Sequence, residues 1–346
     1  MNTHNRNKLI TFAVLSIFAA VFFVLYGPLL ASNFFVNIGA LSLNRTLATN
    51  APLTNDVGES RDSSDAIRLL ELATQLDARN STAWRTLGYL WLTFDEEDKA
   101  LAAWQHTPEM SREMNDWAKR ATERGDLKNA ISWHRRNAAF LPEFGDSLYY
   151  EGLILARQKN WPAAISTFEQ ASKRGVFQTP LLSDIYFQLG SIYQREADYR
   201  DLHKARAMYA LALELDEFSD ETVEAETYYK RGEILEGAGD HKAAADEYQR
   251  TLDILPSHVW ARLRYGYTRY LTDKNLGPAE RDIQDVIKIW KSSKSANLKW
   301  AYRYMGEVYE DAGQIDAALA AYVEAAQLDP ENVYLQNKLA ALEQEK

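Results

Sequence analysis

The sequence predicts an all-α chain: a superhelical solenoid of about seven to eight helix-turn-helix repeats preceded by one transmembrane helix. Three observations predict it. Small and aromatic residues return at fixed places in steps of 34 residues, Leu9 to Ala31 carries no charge, and the rest of the chain is polar and acidic.

The clearest repeat holds Tyr302, Met305, Gly306, Tyr309, Ala318, Tyr322, Ala325 and Pro330. In such a unit the small residues sit where two antiparallel helices touch, aromatics fill the gaps beside them, and proline closes the second helix. The spacing returns as Trp84, Leu87, Gly88, Trp91, Ala100 and Trp104, as Leu148, Gly152, Leu155, Ala164, Phe168 and Ala171, and as Tyr228, Gly232, Leu235, Ala244, Tyr248 and Pro256. Tyr186, Gly190, Tyr193, Ala205, Tyr209 and Ala212 keep the pattern after three extra residues near Asp198 to Asp201. Two units are degenerate. One has Ala118 in place of the packing glycine and His134 in place of the aromatic; the other, around Tyr265, Gly266, Ala279 and Ile283, has one residue inserted at Gly277-Pro278. Linkers at Asp216 to Val223 and Lys291 to Ala296 lengthen two of the steps.

These residues closely resemble the tetratricopeptide repeat (TPR) family, and the chain resembles membrane-anchored TPR proteins with a single N-terminal transmembrane helix. The expected organisation is a short cytoplasmic N-terminus at 1–8, the transmembrane helix at 9–31, a juxtamembrane helix and degenerate first repeat at 32–80, the repeat array at 81–332, and a C-terminal capping helix at 333–346. In the first repeat, Phe35 and Ile38-Gly39 have the first-helix pattern, and Asp65, Ala66, Leu70, Ala73 and Leu76 the second; Ala48 to Ser64 reads as an inserted loop rich in turn-forming residues.

At about 1.5 Å per residue, Leu9 to Ala31 is long enough to cross a hydrocarbon core of about 30 Å. A signal peptide would have a shorter apolar run and a small-residue cleavage site, so an uncleaved anchor is expected, with Gly27-Pro28 kinking or ending the helix. Arg6 and Lys8 precede the run, and in the fifteen residues after it only Arg45 is charged, which places the N-terminus in the cytoplasm and the repeats outside it, most simply in a bacterial cell envelope. Of the net charge of -10, residues after 48 carry -13, which argues against nucleic-acid binding.

No site for chemistry is legible. There is no cysteine, which removes disulfides, thiolate zinc sites and thiol nucleophiles. The six histidines have no metal-ligand spacing, no phosphate-binding glycine loop or nucleophile elbow is present, and the acidic run Asp95 to Asp98 reads as a helix start. The expectation is no enzyme, no cofactor and no metal.

Function therefore falls to the concave groove that the resemblance implies, lined by the first helix of each pair. The positions that face it in the family carry Arg85 and Tyr89, Asn115 and Lys119, Tyr149 and Leu153, Phe187 and Ser191, Tyr229 and Glu233, Leu263 and Tyr267, and Arg303 and Glu307. One turn on come Arg157 and Arg195, then Glu236, Glu310 and Asp311. Rings with charged neighbours suit a protein or peptide partner. The clamp by which TPR cochaperones hold heat-shock protein tails is not expected, because Asp116 and Asp146 stand where cations are needed. The expected function is a membrane-anchored scaffold that recruits or organises proteins of an envelope assembly or export system; the alternative is a structural subunit of a larger membrane complex.

Overall fold

The computed structural model describes residues 25–38, 59–178 and 181–344. Among them the regular structure is helical, apart from one isolated bridge between Phe144 and Val176. After helical residues 25–38 (α1) come α2 (Glu59–Leu76), α3 (Ser81–Thr93), α4 (Glu97–Trp104), α5 (Met110–Glu123), α6 (Leu127–Phe140), α7 (Asp146–Arg157), α8 (Trp161–Arg174), α9 (Leu182–Arg195), a 3₁₀ turn (Ala197–Tyr199) and α10 (Leu202–Leu215). They are followed by α11 (Glu221–Gly237), α12 (His241–Ile254), α13 (Val259–Asp273), α14 (Leu276–Ser292), α15 (Leu298–Asp311), α16 (Ile315–Leu328) and α17 (Val333–Gln344). The chain divides into two compact units, Met1–Pro142 and Glu143–Lys346.

The hairpins share one turn design. Gly125, Gly239 and Gly313 take left-handed φ of 78°, 82° and 73°, and Asp95, Lys159 and Lys274 take it in the same place at 58°, 59° and 55°. Such a residue ends the first helix, and in two of these hairpins the next residue caps the second with its side chain: Asp126 accepts from the Asn129 amide and Asp240 from the Ala243 amide. The three extra residues before α10 form the 3₁₀ turn instead, and there Asp201 is the cap.

In the first unit, Val36 of α1 is buried with Ala66, Leu70 and Ala73 of α2 and Ala83, Leu87 and Leu90 of α3. Polar contacts fix the same junction: the Ser32 hydroxyl donates to the Ala73 carbonyl at 2.9 Å, and the Asn80 amide donates to Ser32 at 2.8 Å and Asn33 at 3.1 Å. Helix α1 is helical through Gly27 and Pro28, so the expected end there is corrected; its later turns are held by burial of Val36 and the Ser32 hydrogen bonds. Glu59–Ser64 are helical rather than loop, because acidic residues favour a helix start. The expected segment 1–8, residues 9–24 of the expected span and most of the inserted loop lie outside the described residues. Among the described residues no helix is long and apolar enough to cross a membrane.

In the second unit each helix packs on its neighbours in sequence, and the first helices α9 and α11, and α13 and α15, also touch directly. Gly277 and Pro278 lie in the first turn of α14 rather than in a loop, a position where the missing proline N–H costs nothing. Leu335 and Leu342 of α17 bury Ala318, Tyr322 and Ala325 of α16.

Candidate functional site

Helix geometry decides which side chains the first helices leave for a partner, because residues three and four apart share a face while their neighbours point into the hairpin. In the first unit Arg85 and Tyr89 lie on one such face of α3 and converge on Glu113 of α5: the guanidinium is 3.0 Å away and the phenol donates at 2.9 Å. Burial, then this carboxylate, raises the Tyr89 phenol far above its ordinary value. Asn115 accepts from the Asn137 amide at 2.9 Å. Lys119 is exposed and has no ion pair among the described residues.

In the second unit Tyr149 is buried and its hydroxyl faces Asp184 at 3.5 Å. Asp184 is itself 1% exposed; desolvation raises its carboxyl, while hydrogen bonds from Ser219 hold it in place. Phe187 packs against the Tyr209 ring at 6.1 Å and Ser191 reaches the same phenol at 3.4 Å. Leu153 is half-buried. Arg157 and Arg195, both in the last turns of their helices, are exposed and make no hydrogen bond or ion pair among the described residues.

The later first helices are different, because their acids are already matched. Glu233 takes Lys230 at 2.8 Å and Arg264 at 3.4 Å, and Glu236 takes Arg264 at 2.8 Å and the Tyr248 hydroxyl at 2.6 Å. Tyr229 is buried between the rings of Tyr248 and His258. Tyr267 packs on Tyr304 at 4.6 Å, and buried Leu263 lies beneath them. Glu307 accepts from Arg303 at 2.7 Å and from Tyr334 at 2.8 Å. Glu310 takes Lys338 at 2.7 Å and the Tyr322 hydroxyl at 2.6 Å, and Asp311 takes Lys274 and Tyr270, each at 2.8 Å. These bonds hold the Asp311 carboxyl below its ordinary value, Lys274 contributing most.

The structure thus brings Tyr229, Glu233, Tyr267, Arg303 and Glu307 into two ion-pair clusters, while Lys119, Arg157 and Arg195 stand free of any. Sequence reading missed the partners that do this: Glu113, Arg264, Tyr304, Tyr334 and Lys338. A signal existed. Arg85 and Glu113, Glu236 and Arg264, and Glu310 and Lys338 are opposite charges 28 positions apart, the offset that sets one first helix against the next. No group of three or more metal-ligating His or acidic side chains occurs among the described residues.

Helix hairpins stacked through glycine, alanine and aromatic contacts define a helical-repeat protein. Residues 300–332 match the family described as tetratricopeptide repeat. Tetratricopeptide repeat protein 37 of Xenopus laevis is 26% identical over 227 residues, 63% of this chain; the aligned part is 13% of that much longer relative. Both matches support the TPR family. Among solved structures, PilW, a type IV pilus biogenesis factor, superposes with a TM-score of 0.47 at 16% identity, over 67% of this chain and all of PilW. The Cut9-Hcn1 hetero-tetramer of the APC/C does so at 0.46 and 15%, over 81% of this chain and 52% of that one. MamA gives 0.42 and 20%, over 54% of this chain and 94% of its own. Likeness at this level bears on neither partner nor pathway.

Proposed function

We propose that the chain is a membrane-anchored scaffold whose first-helix faces hold an acidic segment of a protein partner. The observation that carries this is the register of Arg157 and Arg195. They occupy equivalent places in consecutive repeats, five residues after Gly152 and Gly190, and both are exposed and in no salt bridge among the described residues, whereas the neighbouring acids further along are neutralised internally. Exposed charge outside any salt bridge gives orientation and on-rate to a partner of opposite sign. The function is binding rather than catalysis, and the negative net charge of the chain disfavours nucleic acid.

Anchoring rests on the uncharged run 9–31, supported by exposure of Leu25, Leu29, Leu30 and Phe34 on the described part of α1. The flanking charges put the N-terminus in the cytoplasm and the repeats outside it, in a cell envelope. The same exposed apolar residues favour a second reading, a structural subunit whose anchor packs against other membrane helices. Purification in mild detergent separates the two, since the second requires a stoichiometric complex.

The deciding experiment is proximity labelling from an enzyme fused after Lys346, with the parent and with Arg157→Glu/Arg195→Glu. Loss of a defined set of labelled proteins from the folded double variant is the expected result. An unchanged set places the partner elsewhere, and labelling confined to cytoplasmic proteins overturns the topology.

A further inference from the structure

A cleft at the end of the α5–α6 hairpin is lined by residues other than the first-helix positions assigned above, although its Trp117 packs on Tyr89 at 5.6 Å. Trp117, Arg120, Ala121 and Arg124 of α5 and its cap, with Asp126, Asn129 and Trp133 from the first half of α6, line an open depression of about 420 Å³. That is the size of a site for a small organic ligand.

The chemistry of its walls is specific. The two indoles meet at 4.6 Å with planes inclined at 53°, so they form a corner, and no flat ring fits between them. Arg120 uses only Nε, which donates to the Asp116 carbonyl of its own helix at 3.1 Å, and Arg124 has no ion pair among the described residues. This sets them apart from Arg85, Arg264, Arg269 and Arg303, each of which meets a carboxylate within 3.0 Å. Asp126 is committed to the turn: Oδ1 caps the Asn129 amide at 3.3 Å and Oδ2 accepts the Asn129 side-chain amide at 2.6 Å. Their remaining lone pairs are acceptors at the rim of the cleft.

We propose that this cleft binds an acidic sugar. A saccharide ring lies with its C–H face against an indole, its hydroxyls donate to Asp126 and Asn129, and its carboxylate or phosphate takes the two guanidinium forks of Arg120 and Arg124. An acidic peptide would bring its other carboxylates against Asp126. Uronate and sugar phosphate share the required chemistry. The inference rests on Arg120 and Arg124 rather than on Arg157 and Arg195, and stands without the peptide reading.

Calorimetric titration of the full chain in mild detergent at low salt tests it, with D-glucuronate, glucose 6-phosphate, glucose, inorganic phosphate and the peptide Asp-Glu-Trp as probes. One of the two acidic sugars should bind one site per chain with Kd on the order of 1 mM or below, and glucose roughly tenfold or more weakly. The tighter of the two identifies the source of the charge. Arg120→Gln/Arg124→Gln should weaken binding about tenfold or more with an unchanged melting curve, both side chains being exposed. Inorganic phosphate binding as tightly as either sugar would reduce the cleft to an anion site and overturn the proposal. So would tighter binding of the peptide, an affinity unchanged in the double variant, or no heat from either acidic sugar up to roughly 50 mM.

Discussion

Tyr322 lies across Gly306 so closely that a Cβ on the glycine would stand 2.7 Å from the ring. The same arrangement joins Gly232 to Tyr248, Gly190 to Tyr209, Gly152 to Phe168 and Gly88 to Trp104. Each pair closes one hairpin, and the aromatic partner is fully buried each time. Replacing Gly232 or Gly306 by Leu should therefore overpack the contact and cost about 1 to 3 kcal/mol. Thermal unfolding is the check, and a parent-like melt for either variant would contradict the contact.

Glu310 joins three helices by accepting from Tyr322 of its own hairpin and Lys338 of α17, as Glu236 does with Tyr248 and Arg264. Glu310→Gln should destabilise by about 1 to 3 kcal/mol through loss of charge-assisted bonds to a buried phenol. Tyr322→Phe combined with it should cost less than the sum of the two single changes, with a coupling of about 0.5 to 3 kcal/mol in a double-mutant cycle. Strict additivity in urea unfolding would mean that the two groups do not share the bond.

Burial lowers His134 from 6.5 to about 4. The folded state thus resists a proton that the unfolded state accepts, so stability is full above pH 6.5, declines as the pH falls from there towards 4, and loses about 3 kcal/mol in all. His134→Gln should flatten unfolding free energy against pH across that window. Because Ala118 replaces the packing glycine here, His134→Tyr alone should overpack, and Ala118→Gly should restore its stability.

Lys159 takes φ of 59° at the turn position where Gly125, Gly239 and Gly313 stand in other hairpins. A side chain in the left-handed region costs about 1 to 2 kcal/mol, while glycine is freer in the unfolded chain. Lys159→Gly should yield a net stabilisation of about 1 kcal/mol or less. A lower melting temperature would show that the lysine side chain contributes more than its backbone costs.

The sequence by itself determined the all-α class and the phase of the repeats. A glycine sixteen residues before an aromatic states a local fact, two helices of one hairpin in contact, and local contacts follow from helical period alone. The same logic exposed His134 as a packing residue, since it stands in the aromatic place opposite Ala118. Where period and composition conflicted, the sequence misled: Gly27-Pro28 and Gly277-Pro278 look like breaks, yet both lie inside helices, the second within a first turn. Only the tertiary structure decided which charges remain for a partner. Arg264 and Glu236, or Lys338 and Glu310, meet across 28 residues because successive first helices lie side by side, and the pairing depends on that separation and on side-chain conformation. Glu233 and Glu307 also pair within their own helices, with Lys230 and Arg303, and gain Arg264 and Tyr334 from the next helix, whereas Lys119, Arg157 and Arg195 form no salt bridge among the described residues. The cleft of Trp117, Arg120, Arg124 and Trp133 was hidden for the same reason, since its walls come together only when the ends of α5 and α6 fold onto each other.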